Sequence, residues 1–355
     1  MQNTLIETLT VNHDQAAALI LANPDVRYML QGEPGVGKSM IAKAIARSTG
    51  YPLAMIDVPN LDLGDVAMPV IDHESRTTKY YPNSRFQLQD GKPVVVCLDE
   101  FSKGADPVKN MLHPMLEVFD PRLGDVRIPE GSIIFMTGNL DTDGVGDSLK
   151  AHTKQRIVRL NLAKPNSDQW LVWAAENGIA PLVMAYVDRY PHCLASYLDG
   201  DQDGNELIFN PTKPQDGCLS PRVLEIISRI VKQRDLFDAP SLHAAIAGIG
   251  GRSAAEQLNA FIRHQDSLPP FNDIERNPTT TRIPEDPGAL AVLTFGLLER
   301  VTAENLGAIL TYLRRADEEW QCIFCINLAR HKTKSKIAFT NRAFTDWARD
   351  NEDLL

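Results

Sequence analysis

Residues 26–39 read Val26-Arg27-Tyr28-Met29-Leu30-Gln31-Gly32-Glu33-Pro34-Gly35-Val36-Gly37-Lys38-Ser39. The first six form a mostly apolar run of strand length. The last eight fit G-x-x-x-x-G-K-[ST] without a gap, and a helical pattern runs from Lys38 to about Ser48. In a strand–loop–helix of this kind the glycines let backbone N–H groups close around phosphate, and the helix N-terminus adds positive potential. Glu33, Pro34, Gly35, Val36, Gly37, Lys38, Ser39 and Met40 would then surround a nucleotide's phosphates. Lys38 would reach the β- and γ-phosphates, and the Ser39 hydroxyl would ligate Mg²⁺.

Downstream, Val94-Val95-Val96-Cys97-Leu98-Asp99-Glu100 is an apolar run ending in two carboxylates. This is expected on a second sheet strand adjacent to the phosphate loop, with its C-terminal end toward the nucleotide. Asp99 would orient Mg²⁺, and Glu100 would aim and deprotonate an attacking water. Glutamate at that point suits water as the nucleophile, and no N-K-x-D guanine reader is present, so ATP hydrolysis is the expected chemistry. Further apolar runs at 53–58 and 133–137, and a helical pattern at 12–23, predict a parallel sheet with helices on both faces.

Residues 64–82 read as a β-hairpin with its turn near His73–Arg76, and 122–132 as a second short two-strand element. After Pro165 the apolar spacing is three and four residues throughout, which predicts an all-α region. Residues 266–287 are turn-rich, and a second helical block follows at 288–352. The expected layout is an α/β nucleotide-binding domain at 1–164, a helical lid at 165–266, and a linker with a C-terminal helical extension at 267–355.

Composition excludes several classes. The chain has 355 residues, 43% hydrophobic and 23% charged, and no apolar run of membrane-spanning length. Its N-terminus lacks a signal-peptide pattern, so a cytoplasmic location is expected. The net charge of −10, with no basic-aromatic tract, argues against nucleic acid as the partner. Cys322 and Cys325 form a lone C-x-x-C without further zinc ligands and read as helix packing. The loop from Asp199 begins like a calcium-binding loop, but its twelfth position is Asn210 rather than glutamate, so it reads as an acidic surface loop. His113 reads as a packing residue.

Taken together, residues 12–265 resemble AAA+ ATPases, specifically the MoxR-like branch, with weaker similarity through the C-terminal helices. The resemblance implies that Asn139, ending IIFMTGN, is the polar residue that senses the γ-phosphate. It also implies that Arg156, in SLKAHTKQRIVRL, is an arginine finger acting on a neighbouring subunit, although Ile157 stands where phenylalanine is usual. Lys154 and Arg159 compete for that role. Ser220-Pro221-Arg222 resembles the family's lid motif, with Arg222 contacting the γ-phosphate of its own subunit. The hairpin resembles the branch's pore-directed insert, where Tyr80 and Tyr81 could grip a polypeptide. A hexameric ring is implied, remodelling a protein client beside a von Willebrand factor A domain adaptor. The basic residues Arg330, Lys332, Lys334 and Lys336 of the C-terminal block are a candidate docking surface. The other classes considered are a nucleic-acid motor or loader and a non-hydrolysing nucleotide switch. Intact Glu100 and Asn139 argue against the switch.

Overall fold

The computed structural model describes residues 10–140, 155–200, 202–212, 217–265 and 268–351. The chain separates into two compact units, Met1–Lys164 and Pro165–Leu355.

The first unit is built on six parallel strands. In chain order the main elements are β1 (Thr10–Val11), α1 (His13–Ala22), β2 (Arg27–Gln31), α2 (Lys38–Thr49), β3 (Leu53–Asp57) and the short α3 (Leu63–Val66). The hairpin strands β4 (Ala67–Asp72) and β5 (Thr77–Pro82) follow, then β6 (Val95–Asp99) and α4 (Asp106–Leu112). A small hairpin of β7 (Arg122–Leu123) and β8 (Val126–Arg127) precedes β9 (Ile133–Gly138) and β10 (Ile157–Leu162). The sheet order is β1-β10-β2-β9-β6-β3.

Alternation along each strand supplies both faces of the core. Tyr28, Leu30, Val95, Cys97 and Phe135 pack with Ile20 of α1 and with Ile41, Ala42 and Ile45 of α2. Met29, Val96, Leu98 and Met136 pack on the other side with Val108, Leu112, Met115 and Leu116. Burial on two faces explains why these strands read as unbroken apolar runs.

Within the sheet β9 lies between β2 and β6, pairing with β2 on one edge and β6 on the other. The acidic pair and the phosphate loop are therefore bridged by the strand that ends near Asn139. Residues 157–162, directly after Arg156, form a sheet strand beside β2. Val158 and Arg159 are exposed on it, which breaks the apolar run that marked the other strands.

The 64–82 hairpin pairs Met68 with Tyr81 and Pro69 with Tyr80. Adjacent strand residues face opposite ways, so Tyr80 and Tyr81 project from opposite faces rather than forming one grip. Both remain about half exposed, at 44% and 47%. The small hairpin clasps Tyr80: Asp125 N donates to Tyr80 O at 2.9 Å, and Tyr80 N donates to Asp125 Oδ2 at 2.7 Å. A Cβ on the neighbouring Gly124, at φ 58°, would lie 2.4 Å from Tyr80 O, so that position needs glycine.

The second unit is helical: α5 (Ser167–Glu176), α6 (Pro181–Arg189), α7 (Pro221–Lys232), α8 (Ala239–Gly250), α9 (Arg252–Gln265), α10 (Phe271–Arg276), α11 (Pro287–Arg300), α12 (Leu306–Leu313), α13 (Glu318–Arg330), α14 (Ser335–Thr340) and α15 (Arg342–Asp350). Leu182 to Val187 of α6 are all buried. Helix α11 packs on α6, and a single core runs from Trp170 to Trp347. The helices before and after residue 267, read from the sequence as separate regions, thus share one interior.

Two residues of the basic run expected for docking have partners within the second unit. Lys332 pairs with Glu176 at 3.1 Å, and Lys334 Nζ donates to the last carbonyls of α11, Leu298 O at 3.0 Å and Glu299 O at 2.5 Å. Arg330, Lys332 and Lys336 are exposed, and Lys334 is half-buried. Cys325 is buried in α13 and Cys322 half-buried, and no metal-ligating cluster occurs among the described residues. Of the calcium-like loop, Asp201 lies outside the described residues. Among those described, Asp199 Oδ2 accepts from Ser196 N and Asn210 Oδ1 from Thr212 N, which is local turn capping.

Candidate functional site

The C-terminal ends of β2, β6 and β9 bring the phosphate loop, the acidic pair and Asn139 together. Gly37, at φ 101°, ends the loop in a left-handed conformation that favours glycine and starts α2 at Lys38. Lys38 is buried, and its Nζ donates to Gly32 O at 2.6 Å, Glu33 O at 3.2 Å and Asn139 Oδ1 at 3.2 Å. The ammonium therefore sits within the loop, held by the groups that a phosphate oxygen would partly replace. Ser39 Oγ lies 3.4 Å from Asp99 Oδ2. An alcohol and a carboxylate oxygen facing each other are the hard donors that Mg²⁺ takes, so these residues fit that ion.

Asn139 lies beside Lys38, and Gln31 Nε2 donates to its main-chain carbonyl at 3.3 Å. Glu100 has φ 49°, unusual for a non-glycine residue, and its Oε2 pairs with Lys103 Nζ at 2.7 Å. The carboxylate is thus held by a cation one turn along its own chain.

Several contributors lay beyond sequence reasoning. Thr137 is fully buried in β9; its hydroxyl donates to Asp99 Oδ1 and accepts from Glu100 N at 3.0 Å. His13 Nε2 bonds Val36 O at 2.8 Å, tying α1 to the phosphate loop, and burial lowers its pKa. Glu33 forms a buried pair with Lys164, 3.7 Å apart. That pair anchors the loop's second residue just beyond β10. Thr137, His13 and Lys164 have no local motif, because their roles depend on which distant elements become neighbours, whereas Glu33 lies within the loop motif itself.

Arg156 lies just before β10, and its Nε is 3.1 Å from Glu117 Oε1. The Glu117 carbonyl in turn accepts from Arg27 Nη2 at 3.4 Å, and Arg27 Nε donates to Met115 O at 3.1 Å. Arg27 is buried at the start of β2, and desolvation lowers its pKa. Ile157 is buried in β10, which accounts for an aliphatic residue after Arg156. Arg159 is exposed on the same strand, and Lys154 lies outside the described residues. Arg222 belongs to the second unit, where it is exposed in the first turn of α7 behind the Ser220 N-cap, whose Oγ accepts from Val223 N at 3.2 Å.

No curated protein matches the chain. Among solved structures it is similar to NtrX from Brucella abortus in complex with ADP, at 15% identity over 96% of this chain and 68% of that one, with a TM-score of 0.40. It is also similar to a proline-to-glycine mutant of RuvB from Thermotoga maritima, at 14% identity over 85% and 86% of the two chains, with a TM-score of 0.33. A third likeness, to a protein from Cytophaga hutchinsonii, has 14% identity and a TM-score of 0.35, covering 49% of this chain and about half, 53%, of that one. At these scores the likenesses add nothing to the geometry. The family model described as "ATPase family associated with various cellular activities (AAA)" matches residues 28–145. That span runs from the strand before the phosphate loop past the acidic pair and Asn139, and over it the chain is similar to that family.

Proposed function

We propose that this chain hydrolyses MgATP and uses the energy to remodel a protein client. The observation that carries the reading is the convergence of Lys38, Ser39, Asp99, Glu100 and Asn139 at one end of the sheet. Bound Mg²⁺ would supply charge neutralisation to the β- and γ-phosphates, with Ser39 and Asp99 to hold it. Lys38 exchanges its loop carbonyls for phosphate oxygens. Asn139 steadies Lys38 and offers a polar group near the γ-phosphate. Glu100 leaves Lys103, takes a proton from water, and the water oxygen bonds to the γ-phosphorus while the bond to the β-bridging oxygen breaks, releasing ADP.

Arg156 is assigned to a neighbouring copy's site, where it would neutralise charge on the transferring phosphoryl group. To do so it gives up Glu117. Arg222 is assigned to the γ-phosphate of its own chain. A finger supplied by a neighbour makes self-assembly obligatory, and a hexameric MoxR-like ring is the form favoured. An adaptor with a von Willebrand factor A domain would choose the client. Support for a protein client is the net charge of −10 and the exposed apolar hairpin residues Met68, Val70, Ile71, Tyr80 and Tyr81.

The test measures ATP binding and turnover in the wild type, Lys38→Ala and Glu100→Gln. Lys38→Ala should lose nucleotide affinity, whereas Glu100→Gln should bind ATP and turn over at least about a hundredfold more slowly. Equal turnover of Glu100→Gln and wild type removes Glu100 from catalysis. Stimulation by DNA or RNA at physiological salt, with none by a co-purifying protein, would replace the client reading with a nucleic-acid motor.

A further inference from the structure

We infer that Thr137 is a positioning residue that sets both carboxylates of the acidic pair, an assignment resting on the ATPase reading above. The reason lies in the valence of one hydroxyl. A threonine hydroxyl has one proton to give and lone pairs to receive. The Glu100 amide N–H, 3.0 Å away, can only donate, so it takes a lone pair. The proton is then directed to Asp99 Oδ1, which accepts it.

Two consequences follow for the site. With Oδ1 committed to Thr137, Asp99 turns Oδ2 toward Ser39 Oγ at 3.4 Å, on the side where the metal ligands converge. At the same time the backbone of Glu100 is held at φ 49°, a conformation non-glycine residues seldom adopt. That turn carries the Glu100 side chain off the line of β6. One buried hydroxyl thus fixes which oxygen of Asp99 faces the metal position and where Glu100 leaves the strand.

The geometry is rigid for identifiable reasons. Thr137 has no solvent exposure and sits in β9, between β2 and β6, with Met136 in register opposite Leu98. Branching at Cβ restricts its side-chain rotation, so the hydroxyl stays on the Asp99 side. A valine there keeps the shape and the sheet but removes the hydroxyl.

Three chains, wild type, Thr137→Val and Thr137→Ser, should be compared for melting temperature, affinity for a slowly hydrolysed ATP analogue, ATP turnover, and the Mg²⁺ concentration giving half-maximal turnover. Thr137→Val should keep analogue affinity within about threefold, lose at least about tenfold in turnover, and need more Mg²⁺, consistent with removing a hydrogen bond to a charged group. Thr137→Ser should recover most of the turnover and the Mg²⁺ midpoint. Should the valine chain not fold, Thr137→Ala removes the same hydroxyl without a methyl against Asp99 and takes its place. Hydroxyl-free variants matching wild type in turnover and Mg²⁺ midpoint would overturn the assignment, as would a serine variant as defective as they are. A wild type that neither binds nor hydrolyses ATP would instead sink the ATPase reading itself.

Discussion

Lys103 holds Glu100: the ammonium lies 2.7 Å from Glu100 Oε2, three residues along the chain. Both side chains are partly exposed, at 31% and 40%, so the pair is weak by the measure of solvent-screened ion pairs. Freeing Glu100 from such a partner costs about 1 kcal/mol or less. Lys103→Met should therefore raise basal ATP turnover by no more than about fivefold, with little change in nucleotide affinity. A fall in turnover of tenfold or more would mean that Lys103 acts on the substrate rather than restraining Glu100.

Arg156 and Glu117 stand in a comparable relation at 3.1 Å. Arg156→Ala should retain ATP binding and lose most hydrolysis, on the order of a thousandfold if it stabilises the transferring group. Mixing it with Glu100→Gln should restore part of the activity, because each chain supplies what the other lacks. Two inactive chains that stay inactive when mixed, alongside a fully active dilute wild-type monomer, would rule out the trans assignment.

The C-terminal helices should prove inseparable from those before them. Helix α11 packs on α6 within one core, and Lys334 caps its last turn. Truncation after Asp286 should leave the second unit unfolded, seen as lost helical circular dichroism and protease resistance. A stable, cooperatively melting truncated chain would refute this. Lys334→Ala alone should cost about 1 kcal/mol through its lost caps, measured by chemical denaturation.

Asp188 gives the second unit a pH dependence. Burial first, then the charges of Glu319 and Asp168, push its pKa up to about 6, and Arg189 opposes them. The folded state holds a proton there that the unfolded chain has already released. Stability therefore falls as pH rises from the ordinary aspartate range to about 6, and is flat above. Asp188→Asn should stabilise the second unit at neutral pH by an amount on the order of 1–3 kcal/mol, with little effect near pH 4. Melting curves at the two pH values check this, and a destabilised variant at neutral pH would contradict it.

By itself the sequence determined the local elements: the phosphate loop, its helix, the acidic pair after an apolar strand, the hairpin at 67–82 and the helical character beyond Pro165. Each is written in a short stretch, because glycine at Gly37, a strand buried on both faces, or a capped helix depends mostly on neighbouring residues. Tertiary structure alone decided the strand order, which put β9 between β2 and β6 and so joined Thr137 to Asp99 and Asn139 to Lys38. It also decided that 157–162 is a strand, despite its exposed Val158 and Arg159, and that residues on both sides of 267 share one core. These depend on contacts between residues far apart in the chain, and neither spacing nor composition encodes which distant surfaces will be buried together.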